Sequence, residues 1–570
     1  MIDLMLKEGL RGVALTAERS KRSAAAAGVL ASRLLGWSLA GQPADRLLIV
    51  PQDLRTADPS FWREILHGQF GLAGSMAFLR GRSPFDIAAP NPTWERELHG
   101  FGWLRNMSAA ADDDAKSTAQ LLAAEWALRF GAGGGVAGEP AVAARRLISW
   151  ISHAGLLLEG ADRATYETIT TSLSRQISQL AGCWRDAADS YSRLLALIAL
   201  MFADLSVAGH SRQLKDIEGM FSAELSRQIL PDGGHVSRNP GLLVELMLDL
   251  LPLVQCFTAR DRRHPPALLE AVASIMPMLR FLRLGDGMLA RFNGMSIPAA
   301  AGLGTVLAYD DGAAPPLSEA RASGYARLER SKTILLVDVG TPPPLAAAGE
   351  AQAGCLSFEM SSGAKLLLVN CGIPGPAGAD WHPAARATAS HNTLCLAEKS
   401  SSKLVAHRRL EAMLSGAPIK HPDQVDWHME EVEGGLALEA CHDGYHRRFG
   451  LIHARRIFLS ADGRRIEGRD QIDGLRQKVR LRVDLPFAIH FHLHPDASCS
   501  LANEPNAADI SLPDGQRWRL KADGAALSIE ESAYFANSAG PRPALQVVLR
   551  GATYGDCEVN WVIARMLGEE

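Results

Sequence analysis

Apolar residues in the first half of the chain recur at the three- and four-residue spacing of helices. Leu147, Ile148, Ile151, Leu156, Leu157 and Leu158 form one such set. Leu194, Leu195, Ile198, Leu200 and Met201 form a second, and Leu242, Leu243, Leu246, Met247, Leu250 and Leu251 a third. Short polar breaks separate them, such as Glu159-Gly160-Ala161-Asp162 and Pro231-Asp232-Gly233-Gly234. Many helices on short loops predict a bundle, a solenoid or a closed toroid, and no fixed-period repeat supports the solenoid. Near residue 310 the period changes. After the loop Asp310-Asp311-Gly312-Ala313-Ala314-Pro315-Pro316 come short runs that read as strands, including 333–339, 365–370 and the alternating 487–494. Turn pairs such as Asp462-Gly463 and Asp514-Gly515 punctuate them. The pattern predicts a multidomain α+β chain, with an N-terminal (α/α) toroid over 1–310 and a C-terminal antiparallel β-sandwich over 311–570.

Length and charge narrow the function. A chain of 570 residues is too long for one core. Its net charge of −4 gives no general attraction for nucleic acid, so an acidic partner would need a local cluster of Arg and Lys. The eight cysteines are scattered without metal-finger spacing, and several sit in apolar runs, which predicts structural thiols. No uninterrupted apolar run reaches the ~18 residues of a membrane span. Lys21 and Arg22 precede an Ala-rich stretch that Arg33 interrupts, which reads as an amphipathic helix ahead of a signal peptide and predicts a cytoplasmic chain. No P-loop, nucleophile elbow or HExxH is present, and no cofactor is expected.

Several side chains could carry chemistry, each with a bland alternative. His235 and Arg238 stand on a turn before a helix that Asn239 would cap and Pro240 begin, so the pair suits an anionic sugar or merely shapes the loop. His391 opens a strand, as a cleft residue or as a buried imidazole bonded to backbone. His490, His492 and His494 share one strand face, which is more often a polar surface than a metal site. Tyr445 and Arg447 could line a glycan groove or an ordinary sheet edge, and Tyr191 could relay a proton or pack in a core. Asp232 and Glu245 would allow a two-carboxylate hydrolase, although nothing pairs them.

Four ordered segments carry a resemblance. The run Gln228 to Pro240, the strand Ala351-Gln352-Ala353-Gly354-Cys355-Leu356-Ser357-Phe358-Glu359, and Val369-Asn370-Cys371-Gly372 followed by Ala389-Ser390-His391-Asn392-Thr393-Leu394 resemble heparinase II/III-like proteins. So does Gly81-Arg82-Ser83-Pro84-Phe85-Asp86 through His99-Gly100-Phe101-Gly102-Trp103-Leu104. The resemblance implies β-elimination on a uronate-containing polysaccharide, with the cell envelope or periplasm as setting. Such a reaction must neutralise the sugar carboxylate, remove its α-proton and protonate the leaving oxygen. It implies His235, Arg238, Asn239, His391 and Tyr191 as catalytic candidates, Asn392, Gln352, Tyr445 and Arg447 as substrate-binding ones, and no catalytic metal. The sequence also departs from the family. Asp189-Ser190-Tyr191 stands where relatives carry Asn-His, Leu242-Leu243 where they carry Tyr-His, and Gln352 in place of a His. The alternative is a protein that kept the glycan-binding fold and lost the chemistry.

Overall fold

The computed structural model describes residues 47–210, 213–296, 301–317, 319–404, 418, 420–474, 484–537, 540–553 and 557–566. The Ala-rich N-terminal stretch lies outside them. Helices occupy the N-terminal half and antiparallel sheets the C-terminal part, in the order the periodicity predicts. The chain divides into two compact units, Met1–Glu224 with Asp249–Pro266, and Leu225–Leu248 with Ala267–Glu570.

The first unit is helical apart from a small hairpin, Gln69–Leu72 with Ser75–Phe78. Local sequence chemistry sets its helix starts. Asn91, Asp112, Asp162 and Asp189 each accept a backbone N–H in the first turn of the helix that follows. The segment from His99 to Leu104 joins two helices through Phe101, a non-glycine residue at φ 56°. That bend drives Phe101 edge-on against Trp126 and Trp150 (ring centroids 5.8 and 5.4 Å). Arg146 lies 3.9 Å over Trp126 and donates to the carbonyls of His99 and Ala137. This segment, one of those that carry the resemblance, is therefore an aromatic keystone of the helical core.

The second unit stacks its sheets on one shared apolar core. An eight-stranded antiparallel sheet runs from Ser498–Leu501 at one edge to Val425–Val432 at the other, and two four-stranded sheets complete the unit. Leu335, Phe358, Ile457, Ile489, Trp518 and Trp561 from these sheets meet in that core. Strand Leu451–Ser460 alternates buried and half-buried residues, the period-two signature of a sheet with one face inward. Strand Leu485–His492 differs. It is buried on both faces from Phe487 onward, so His490 and His492 do not form the solvent-facing polar surface their alternation suggests. All eight cysteines are free thiols, and burial pushes those of Cys256 and Cys371 up to about 12.

One glycine makes the sandwich testable. Gly468 pairs with Trp561 across the eight-stranded sheet, and a Cβ there would lie 2.0 Å from the indole ring. Gly468→Ala is expected to destabilise the protein by about 3 kcal/mol, the upper end of overpacking costs, measured by urea denaturation. A loss below about 0.5 kcal/mol would mean that the indole moves aside freely.

Among the described residues, the helix Pro240–Ala259 has the length and apolar content of a membrane span, but most of it is buried and it carries Glu245 and Asp249. Those features fit a buried core helix.

Candidate functional site

In the second unit, the Gly-rich turn holds its candidates by closing around them. Gly233 sits at φ 84° with the Ser274 carbonyl where a Cβ would go, so only glycine makes this turn. His235 is 1% exposed. Its Nε2–H donates to Gln228 Oε1 (2.9 Å), and its Nδ1 accepts from the Ser237 amide (3.1 Å). Burial, with Arg227 nearby, pushes the imidazole down to about 3 and keeps it neutral. Asn239 caps the following helix through the Gly241 amide (2.9 Å), as expected from Asn-Pro.

Arg238 is also buried, at a left-handed φ of 59°. Its guanidinium donates to the carbonyls of Ser323 (2.7 Å), Gly324 (2.8 Å), Gly340 (3.1 Å) and Thr341 (3.2 Å), and it forms an ion pair with Asp338. A cation so enclosed has no edge left for a sugar. Gly340 is required beside it, because a Cβ there would be 2.6 Å from the guanidinium carbon. Asn293 Nδ2 reaches Asp338 (3.3 Å), and the Asn293 amide donates to Gln352 Oε1 (2.7 Å). Arg238 and Gln352, 114 residues apart, therefore share one buried network.

His391, Asn392 and His492 form a second buried group. His391 donates from Nδ1 to the Ala387 carbonyl (2.7 Å) and packs on Gly354, and its Nε2 has no partner among the described residues. Burial pushes it down to about 4. Asn392 accepts the His492 amide (2.6 Å) and donates to the Phe358 carbonyl (2.8 Å). A charged hub pins this segment. Arg455 donates to the carbonyls of Asn392 (2.7 Å) and Leu356 (2.8 Å), and Asp470 accepts from Arg455, His453 (2.6 Å) and Trp561 (2.8 Å). None of these hub residues stood out in the sequence, because each looks like an ordinary strand residue until the pairing of 451–460 with 465–474 aligns them.

The remaining candidates disperse. His490 bonds Gln546 (2.9 Å), His492 bonds Ser532 (2.8 Å) and the Ala389 carbonyl (2.9 Å), and His494 lies 3.6 Å from Asp496. Among the described residues, no group of three or more His, Cys, Asp or Glu is placed to hold a metal ion. Tyr445 is 2% exposed and donates to the Leu394 carbonyl (2.8 Å), so its ring faces the β core and lines no groove. Arg447 is exposed and paired with Asp423.

In the first unit, Tyr191 leads to a cluster that no sequence motif marks. Its hydroxyl lies 3.5 Å from Arg145 Nη2. Arg145 and Arg55 both grip Asp249 through paired hydrogen bonds of 2.8–3.1 Å. Asp53 accepts from the Arg55 amide (3.0 Å) and Arg105 Nε (3.0 Å), with His153 Nε2 at 3.3 Å. Burial raises the Asp53 and Asp249 carboxyls, but His153, Arg105 and Arg55 hold Asp53 well below the usual range, and Arg145 and Arg55 hold Asp249 below it. Burial and repulsion from Arg55 and Arg145 pull Arg105 down against the attraction of Asp53. The side chains of Arg55, Arg105 and Arg145 are 12%, 20% and 19% exposed, so the cluster reaches solvent. Its members come from separate stretches of the chain, which no local motif could have joined.

Comparison with known proteins bears on this arrangement. The model of the family "Heparinase II/III-like, C-terminal" matches residues 312–562. The FtsZ-localized protein C of Caulobacter vibrioides is 30% identical over 533 residues, covering 91% of this chain and 90% of that protein. The crystal structure of a heparinase III superposes with a TM-score of 0.68 at 13% identity, covering 86% of this chain and 80% of that one. The heparan sulfate lyase HepC of Pedobacter heparinus gives a TM-score of 0.59 at 16% identity over 96% and 89%. At these identities the two structures share the fold with this chain.

Proposed function

The chain belongs to the heparinase II/III-like family, and from that premise we propose that it is a divergent member that binds an acidic glycan without cleaving it. One observation carries the reading. His235 and His391, the two histidine candidates for proton transfer, are buried, neutral imidazoles, and Gln352 is an amide tied to Asn293. A lyase needs a base and an acid that meet the substrate, and these side chains are engaged in holding their own loops. On this reading the helices of the N-terminal half and the antiparallel sheets of the C-terminal part serve binding alone. The relative named for its localisation with FtsZ adds a setting: glycan recognition by this chain would serve the envelope where FtsZ lies.

A second reading, a uronate-specific polysaccharide lyase, is favoured by Tyr191. Its phenol beside Arg145 has the make-up of a proton-transfer group next to a charge neutraliser. The two readings separate in one assay. Uronate polysaccharides incubated with the full chain are expected to bind, as seen by calorimetry, with no growth of the ultraviolet absorption of an unsaturated uronate. Steady growth of that absorption, abolished by Tyr191→Phe, would overturn the binding-only reading in favour of the lyase.

A further inference from the structure

We infer that the open guanidinium edge of Arg105, with Arg145 and Tyr191 beside it in the same cluster, is a receptor for a single sugar carboxylate. This rests on the reading that the chain binds an acidic glycan. Asp53 holds Arg105 through Nε alone (3.0 Å). The Nη1/Nη2 fork has no hydrogen-bond partner among the described residues, although a fifth of the side chain is open to solvent. A guanidinium presents that fork as two parallel N–H groups, the spacing a planar carboxylate accepts. The contrast with Arg238, whose every edge is occupied, is direct.

The surrounding charges select the ligand's valence. Arg55, Arg105 and Arg145 are bonded to two carboxylates, Asp53 and Asp249. Glu97, tied to the Ala73 amide (2.8 Å), tempers the field at Arg105. With His153 neutral, three cations against two carboxylates leave an excess of one positive charge before Glu97 is counted, which suits a monoanion and disfavours a phosphate dianion. Asp53 and Asp249 also fix their arginines before any ligand arrives, so little side-chain entropy is lost on binding. Tyr191, with its hydroxyl 3.5 Å from Arg145, offers a neutral hydrogen-bonding group for a sugar hydroxyl next to the carboxylate.

The test is calorimetry on the full chain with a glucuronate-containing tetrasaccharide, its carboxyl-reduced counterpart and sodium sulfate. The acidic tetrasaccharide is expected to bind at least tenfold tighter than the reduced one. Arg105→Gln should abolish that preference. Arg105→Lys keeps a cation for Asp53 but loses the fork, so it should weaken binding about tenfold with an unchanged melting temperature. Arg129→Gln, at an exposed pair with Asp86, is the control expected to leave binding unaltered. If the acidic glycan binds the Lys variant as well as the parent, the receptor is wrong while the glycan-binding reading stands. If only sulfate binds, and binds through Arg105, an anion site survives but the sugar assignment and the glycan reading both fall. No binding of any probe to the parent overturns the receptor outright.

Discussion

Arg238→Ala is expected to cost about 3–5 kcal/mol of stability, the range for breaking a buried ion pair from one side. The substitution leaves Asp338, 4% exposed, without its guanidinium, and it strips donors from the carbonyls of Ser323, Gly324, Gly340 and Thr341. On sequence alone, the same residue would be a solvated ligand whose loss weakens binding and spares stability. The structure reverses that expectation. Arg238→Lys should recover only part of the loss, because an ammonium cannot serve acceptors spread around a plane. Arg447→Ala, at a partly exposed pair with Asp423, should change stability by about 1 kcal/mol or less. Urea denaturation of the three variants checks this, and equal effects at 238 and 447 would mean that water reaches the Arg238 site.

The second large effect is acid sensitivity well above the carboxylate range. His235, His391 and His492 are buried, with their imidazoles pushed to about 3, 4 and 3. For a histidine whose folded value is depressed, the unfolded chain binds more protons between the two values. Stability is therefore complete above about pH 6.5, and it is lost as pH falls towards 4. A tenfold difference in proton affinity between the folded and unfolded chain corresponds to about 1.4 kcal/mol, so each ring contributes on the order of 3 kcal/mol by pH 4. Glu359, a buried carboxyl raised by desolvation, opposes the trend with its own titration. Asp249 and Asp470, held low in their ion pairs, add losses only below their unfolded range near 3.8. Urea midpoints between pH 7.5 and 4.5 should fall steeply, and His235→Gln, tested at the same pH values, should remove its share of the slope. A flat profile across that interval would show that these rings are reached by water in the folded protein.

How much of this was legible in the sequence differs by element. The helical periodicity around Leu147, Leu194 and Leu242 and the strand runs at 333 and 365 reappear as helices and strands, because burial of one face is a local property of side-chain spacing. The Asn239-Pro240 cap was legible for the same reason: its bond closes within two residues. The order of the resembling segments pointed to the family.

What the sequence could not determine is which polar residues face water. Arg238 and Arg105 are the same residue type on comparable loops or short helices. Asp338, a hundred positions away, encloses one, while Asp53 holds the other by a single nitrogen and leaves its fork open. His391, Asn392 and Asp470 likewise acquire their roles only when strand pairing and Arg455 bring distant segments together. Periodicity records burial along one element, whereas the satisfaction of a charge is decided by whatever the fold places opposite it. That decision is tertiary because hydrogen bonds act over about 3 Å of space, whatever the separation of the two groups along the chain.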